Sequence, residues 1–308
     1  MRIVEATLEN IGLAAEIIRK GGLVAMPTET VYGIAVDVMN RDAVRRVFEA
    51  KERPADNPLI VHLSEAAQLE TVAEEVPSIA YRLADRFWPG PLTMVLPKRP
   101  DIPYEVTGGL ETVAIRQPRH PVALALIGLV GRPLAAPSAN RFMHLSPTHA
   151  HHIDLELVEK LDMVLDGGPC TVGLESTVLD LTSDPPRILR PGGVSRGDIQ
   201  AVLCSRLGDR PPVGHASPGM YLRHYAPQAR LILVDFVEPE EYGLVFKGPA
   251  GEKHVKMPCD PVAYASSLYD ALHRIDSFHP TAIYVERPPT EPAWEAVWDR
   301  LTKAGGVA

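Results

Sequence analysis

Apolar residues along this chain recur with two periods, and the switches between them mark out alternating helices and strands. From Thr7 to Gly21, the residues Leu8, Ile11, Ala14, Ala15 and Ile18 fall on one helical face, with Thr7 placed to cap the start and Gly21-Gly22 to end it. Leu23 to Met26 reads as a buried strand, and Asp42 to Lys51 as a helix that turns Ala43, Val44, Val47 and Phe48 inward. Further strands are predicted at Leu59 to Leu63, Leu92 to Leu96, Thr112 to Arg116, Leu134 to Ala136, Met163 to Asp166, Thr177 to Leu181 and Arg187 to Arg190. Helices are predicted at Ser64 to Glu74, Ser78 to Phe87, Pro121 to Val130, Ala150 to Lys160 and Ser195 to Leu203. Leu92 to Leu96 and Thr112 to Arg116 follow each other without a helix between them, so the sheet should be mixed rather than purely parallel.

Between Gly208 and Pro227 the chain carries four prolines and three glycines without apolar periodicity, the composition of an interdomain linker. Beyond it, Arg230 to Phe236, Gly243 to Lys247 and Thr281 to Glu286 read as strands, and Pro261 to Ile275 and Glu291 to Lys303 as helices. The expected division is 1–207, a linker over 208–229, and a small α/β unit over 230–308.

Composition narrows the class. With 308 residues, 45% of them apolar and 23% charged, the chain can bury a sizeable core, which excludes disordered and fibrous proteins. The longest apolar run, Val122 to Gly131, falls short of the ~18 residues that span a bilayer. Glu5 and Glu9 interrupt the N-terminus where a secretory signal needs a basic start and a continuous apolar stretch. The expectation is a cytoplasmic protein whose mature chain begins near Met1, with no membrane helix. Cys170, Cys204 and Cys259 are widely spaced, which speaks against a disulfide framework or a thiolate metal site. The formal charge of −8 disfavours tight direct nucleic-acid binding, because such affinity comes largely from Lys and Arg along the phosphates, yet it permits a local basic cleft.

Neither GxGxxG nor GxxxxGK[ST] occurs, so a nucleotide would have to be held by side chains. His149, His151 and His152 lack an HExxH pattern or a Cys partner, and no metal-ligand role is assigned to them. Gly193-Val194-Ser195-Arg196-Gly197 matches a nucleophile elbow, but Ser195 with Asp198 reads better as a helix-capping pair. Three other segments point to chemistry. Pro27-Thr28-Glu29-Thr30-Val31-Tyr32-Gly33 leaves a buried strand at its carboxyl end, where open α/β sheets bind ligands. Lys51-Glu52-Arg53-Pro54 and Asn57-Pro58-Leu59-Ile60-Val61-His62 combine rigid turns with Lys, Arg, Asn and His, the makings of a phosphate clamp. Ala136-Pro137-Ser138-Ala139-Asn140 adds neutral donors.

These residues resemble the YrdC/Sua5 family of threonylcarbamoyl-AMP synthases. The resemblance rests on PTETVYG at 27–33, KERPADNPLIVH at 51–62, AIRQP at 114–118, PSAN at 137–140, STVLD at 176–180 and ILRPG at 188–192. The linker and the second unit resemble the two-domain Sua5 form. The resemblance implies an α/β fold: a YrdC-like twisted mixed sheet around a basic cavity, with a small C-terminal Rossmann-like domain. It implies that L-threonine, bicarbonate or CO2, and ATP with Mg2+ become threonylcarbamoyl-AMP and pyrophosphate for t6A in tRNA, with hand-off to a tRNA threonylcarbamoyl transferase complex. Carried over by motif, Lys51 and Arg53 are the catalytic cations. ATP would meet Lys51, Arg53, Asn57, Thr112, Ser138, Asn140, Ser146, Arg190, His224 and Tyr225. Threonine would meet Thr30, Tyr32, His62, Arg116, Ser138 and Ser176, with Arg116 on its carboxylate. The linker carrying His224 and Tyr225 is expected to close over the substrates. Phe142-Met143 departs from the Ser-Gly that usually follows the SAN motif. Two other readings stand beside this one: a carbamoyl-phosphate-dependent carbamoyl transferase, for whose extra catalytic domains 230–308 leaves no room, and a non-catalytic RNA-binding module.

Overall fold

Thr7 caps the first helix as its place in the pattern predicts. Its hydroxyl accepts from the Asn10 amide at 3.2 Å, and α1 (Leu8–Arg19) buries Ile11, Ala14, Ala15 and Ile18. The computed structural model describes residues 3–208 and 224–305. Among these, ten strands form one sheet: β1 (Ile3–Glu5), β2 (Val24–Met26), β3 (Gly33–Asp37), β4 (Ile60–His62), β5 (Leu92–Pro97), β6 (Thr112–Arg116), β7 (Leu134–Ala135), β8 (Met163–Asp166), β9 (Thr177–Asp180) and β10 (Arg187–Arg190). Their order is β1-β8-β2-β3-β7-β4-β6-β5-β9-β10. The sheet is mixed as expected: β4 and β6 run parallel, while β5 and β6 run antiparallel.

One set of helices lies on each side of the sheet's core. With α1, helix α5 (Pro121–Val130) covers Val24, Met26, Ala35 and Leu165. A larger cluster gathers α2 (Arg41–Lys51), α3 (Ser78–Phe87) and α7 (Arg196–Leu203) around Ile34, Val36, Val61, Leu92, Met94 and Ile115. Between these run the short helices α4 (Tyr104–Thr107) and α6 (Leu155–Lys160). A second sheet, all parallel, has the order β11-β14-β12-β13, from β11 (Arg230–Val234), β12 (Gly243–Val245), β13 (His254–Lys256) and β14 (Ala282–Glu286). It carries α8 (Pro261–Asp276) and α9 (Glu295–Gly305). Its core continues into the first unit through Val31, Leu145 and Leu174. No helix among the described residues is long and apolar enough to cross a membrane.

The pattern misplaced a few elements. Ser64 to Glu74, predicted as a helix, forms only a 3-10 turn over Ala66–Thr71. The Gln68 side chain folds back onto the Ser64 and Glu65 amides, and Ala73 and Glu74 are drawn into extended pairing with Lys98 and Pro97. The predicted helix Ala150 to Lys160 is interrupted because Asp154 accepts from the Glu156 amide at 2.9 Å and starts a new helix, α6. β1, β3 and β13 were not predicted, being short or carrying polar ends. The expected linker lies outside the described residues over 209–223.

Candidate active site

The loop after β2 and the last residues of the parallel strands β4 and β6 supply the site's first side chains, brought together by the Arg116–Thr30 bond. After β2, Thr28 Oγ1 accepts from the Thr30 and Val31 amides at 3.2 Å and donates to the Val31 carbonyl at 2.7 Å. That turn fixes Glu29 and Thr30, which are buried. Parallel register sets His62 opposite Arg116. Arg116 donates to Thr30 Oγ1 at 2.9 Å and to Glu29 Oε2 at 3.0 Å, and the same carboxylate oxygen accepts from the Arg119 amide at 2.9 Å. The His62 ring is 3.1 Å from the Ile60 carbonyl through Nδ1. A carbonyl can only accept, so Nδ1 bears the hydrogen and Nε2 is left as an acceptor. Burial first, then the Arg116 charge, pushes the His62 pKa down to about 3, which keeps the ring neutral.

At the end of α2, where the motif suggests a phosphate clamp, Lys51 and Arg53 take different positions. Glu52 takes a left-handed conformation (φ 55°) that ends the helix and swings Arg53 round. Arg53 donates to Asn57 Oδ1 at 2.6 Å and to the Pro58 carbonyl at 2.9 Å. Lys51 is fully buried, and its Nζ donates to the main-chain carbonyls of Ser138 and Asn140. Burial, with Arg53 nearby, holds its pKa well below the usual lysine range. Arg190, at the end of β10, donates to the Ser176 carbonyl at 3.0 Å and its hydroxyl at 3.2 Å, and Ser176 is bonded to Thr93 at 2.7 Å.

A cavity results, walled by Thr28, Thr30, Arg53, His62, Arg116, Ser138, Glu175, Ser176, Arg190, His224 and Tyr225, with Ile60 and Ala136 as its apolar floor. Three buried guanidinium groups, Arg53, Arg116 and Arg190, stand against the two carboxylates Glu29 and Glu175, so the cavity has a cationic surplus suited to an anionic ligand. The described end of the linker supplies His224 and Tyr225. Their rings lie 4.0 Å apart, and Phe142 meets His224 edge-on at 5.9 Å. The position after Phe142 requires a left-handed backbone, which Met143 adopts at φ 69°, and its carbonyl accepts from the Ala226 amide at 2.9 Å. A glycine there would avoid the strain of placing a side chain on that backbone.

Of the residues expected to meet substrates, Thr30, Arg53, His62, Arg116, Ser138, Ser176, Arg190, His224 and Tyr225 line the cavity. Others stand behind it. Lys51 pins the Ser138–Asn140 loop, and Asn57 anchors Arg53. Asn140 donates to the Arg141 and His144 carbonyls, and Ser146 donates to Glu175 Oε1 at 2.6 Å. Two more of the expected residues do not line this cavity. Thr112 begins β6 and pairs with Pro97, whereas Arg116 ends that strand; at about 3.3 Å per residue the two are ~13 Å apart. The Tyr32 hydroxyl turns away from the cavity to donate to the Gly168 carbonyl at 2.7 Å. Ser195 caps α7, accepting from the Asp198 amide at 3.1 Å, and is no nucleophile elbow. His149, His151 and His152 form a ring cluster in which His152 stacks on His273 at 4.1 Å.

Sequence reasoning assigned no role to Glu29, Glu175, Tyr269 or Arg300. Glu29 could have been found, since a carboxylate between Thr28 and Thr30 in a buried segment needs a cation. Nothing in the sequence joins Glu175 to Arg300, which bond at 2.7 Å across the two units.

Comparison with known proteins gives the family. The Sua5/YciO/YrdC family model, described as "Telomere recombination", matches residues 16–192. The chain belongs to this family. A second family model, the threonylcarbamoyl-AMP synthase C-terminal domain, matches residues 194–306. Among Sua5-type relatives, the threonylcarbamoyl-AMP synthase of Pyrococcus abyssi is 44% identical, over 96% of this chain and 94% of its own. That of Bacillus subtilis is 40% identical, over 96% and 93%. A crystal structure of Pyrococcus abyssi Sua5 complexed with L-threonine is 40% identical, with a TM-score of 0.90, covering 98% of this chain and 96% of that one.

Proposed function

We propose that this Sua5-family chain is a threonylcarbamoyl-AMP synthase, joining L-threonine, bicarbonate or CO2, and ATP into threonylcarbamoyl-AMP and pyrophosphate for t6A formation in tRNA. The observation that carries this reading is the Arg116–Thr30–His62 group beside a cluster of buried cations. The threonine amine adds to CO2 to give a carbamate, a carbamate oxygen attacks the α-phosphorus, and pyrophosphate leaves. Neither step needs a strong base as much as a dry site that positions two anions and offsets their charge.

Arg116 would pair with the threonine carboxylate through the guanidinium edge that Glu29 holds in place. Thr30 and the bare Nε2 of neutral His62 would take the hydroxyl and amine ends. Arg53 and Arg190 would face the triphosphate, with Ser138 and Ser176 between the substrates. Lys51 would act from behind, setting the Ser138 loop. Magnesium would arrive on the phosphates of ATP: among the described residues no group of three or more His, Cys, Asp and Glu is placed to hold a metal. We place the enzyme in the cytoplasm, handing its labile product to a tRNA threonylcarbamoyl transferase complex.

The test is incubation with labelled bicarbonate, threonine and ATP, following the adenylate and pyrophosphate together. Equal amounts of both, dependent on threonine, are expected. Pyrophosphate release indifferent to threonine would overturn the reading, and dependence on carbamoyl phosphate in place of bicarbonate would move it to the carbamoyl transferases.

A further inference from the structure

Glu175 is an awkward wall for a site that takes a triphosphate. Its carboxylate is buried and lines the cavity, where it would repel the incoming phosphates. Its partners come from behind and mostly from the second unit. Arg300 Nε of α9 donates to Glu175 Oε2 at 2.7 Å, and Tyr269 of α8 donates to both oxygens, at 3.2 and 3.1 Å. On the first unit, Ser146 donates to Oε1 at 2.6 Å. Burial alone would raise the Glu175 pKa, but Arg300 and Arg190 outweigh it and bring it to about 2, so the group stays an anion.

The same guanidinium touches two more parts of the wall. It donates through Nη1 to the Pro191 carbonyl at 3.0 Å, next to Arg190, and lies 4.8 Å from the Tyr225 ring centroid. Arg300 does not itself line the cavity. We infer that Arg300 is a positioning residue for the nucleotide half of the site: from the second unit it holds and neutralises the Glu175 carboxylate so that a triphosphate can sit beside it. This rests on the reading that the cavity takes ATP. It gives the second unit a task in substrate binding beyond docking, and a simple docking contact would leave nucleotide affinity unchanged in any variant that folds.

The experiment uses the full chain and calorimetry with a non-hydrolysable ATP analogue, with threonine titrated separately. Arg300→Met should strand the anion and weaken the analogue roughly 10- to 100-fold, with threonine affinity changed less than about threefold. Adding Glu175→Gln to Arg300→Met removes the stranded charge while keeping an acceptor for Ser146, and should restore most of the analogue affinity. A folded Arg300→Met with unchanged analogue affinity, or a double variant as weak as the single one, overturns the inference. Should Arg300→Met fail to fold, Tyr269→Phe takes its place: it removes two bonds to Glu175 and leaves the ion pair, so a severalfold loss of analogue affinity is expected and none would overturn the inference. Wild-type chain that binds the analogue yet makes no threonine-dependent adenylate would instead refute the proposed function.

Discussion

Replacing Arg116 with alanine should do two separable kinds of damage. Arg116 and Glu29 are 3% and 1% exposed and 3.0 Å apart, so removing the guanidinium leaves Glu29 charged in a site water hardly reaches, with the Arg119 amide still donating to it. Breaking a buried pair from one side costs about 3–5 kcal/mol, a large share of the ~5–15 kcal/mol that holds a domain together. The pairing proposed with the threonine carboxylate is a second loss of ~2–5 kcal/mol, or roughly 30- to 4,000-fold in Kd at about 1.4 kcal/mol per decade. The double variant Glu29→Gln with Arg116→Met separates the two, because glutamine can still accept from Arg119 but strands no charge. Urea denaturation should show Arg116→Ala strongly destabilised and the double variant largely recovered. Calorimetry should show threonine binding lost in both, with ATP binding retained in the double variant. A double variant as unstable as the single one would refute the charge argument, and one that binds threonine like the wild type would remove Arg116 from the threonine site.

Acid should weaken the fold through its buried histidines. Burial above all pushes His62 and His224 down to about 3, below the usual histidine value near 6.5, so between these limits the unfolded chain binds more protons than the folded one. Their contribution is complete above pH ~6.5 and is lost as pH falls toward ~3, at up to about 1.4 kcal/mol per pH unit for each. The urea midpoint should fall over that window and His62→Gln should flatten the slope; a flat wild-type profile would count against burial as the cause. Gly192→Ala should abolish activity or folding, because a Cβ there would sit 2.3 Å from the Glu175 carbonyl oxygen and 2.5 Å from the Ser176 carbonyl carbon. Gly128→Ala, on a helix with nothing within 4 Å, is the control and should gain up to about 1 kcal/mol in thermal melting; equal behaviour of the two variants would refute the steric argument.

Local order was readable wherever a short stretch of chain decides its own structure. Thr7 and Ser195 cap helices because a hydroxyl reaches an amide three residues on, and the amphipathic faces of α1 and α2 follow from residue spacing alone. The mixed sheet was legible from the short connection between Leu92–Leu96 and Thr112–Arg116, although the one-turn helix α4, which the pattern did not predict, lies within it. The candidate site was legible as motifs, since Thr30, Arg53, His62 and Arg116 each fall at or just past the end of a strand or helix. Competition between local and distant partners was not readable. Ser64 to Glu74 has the apolar spacing of a helix, but Ala73 and Glu74 take their partners from the next strand's edge. Tyr32 sits within a substrate motif, and only the packed fold shows that its hydroxyl serves Gly168. The sequence by itself determined the elements, the motifs and the positive character of the site, because those depend on neighbours within a few residues. Only the tertiary structure decided which cations face the cavity and which brace it, and that Arg300 reaches Glu175. Burial strips water from such groups, and each must then take whichever partner the folded chain brings within hydrogen-bond reach, however far away it lies in sequence.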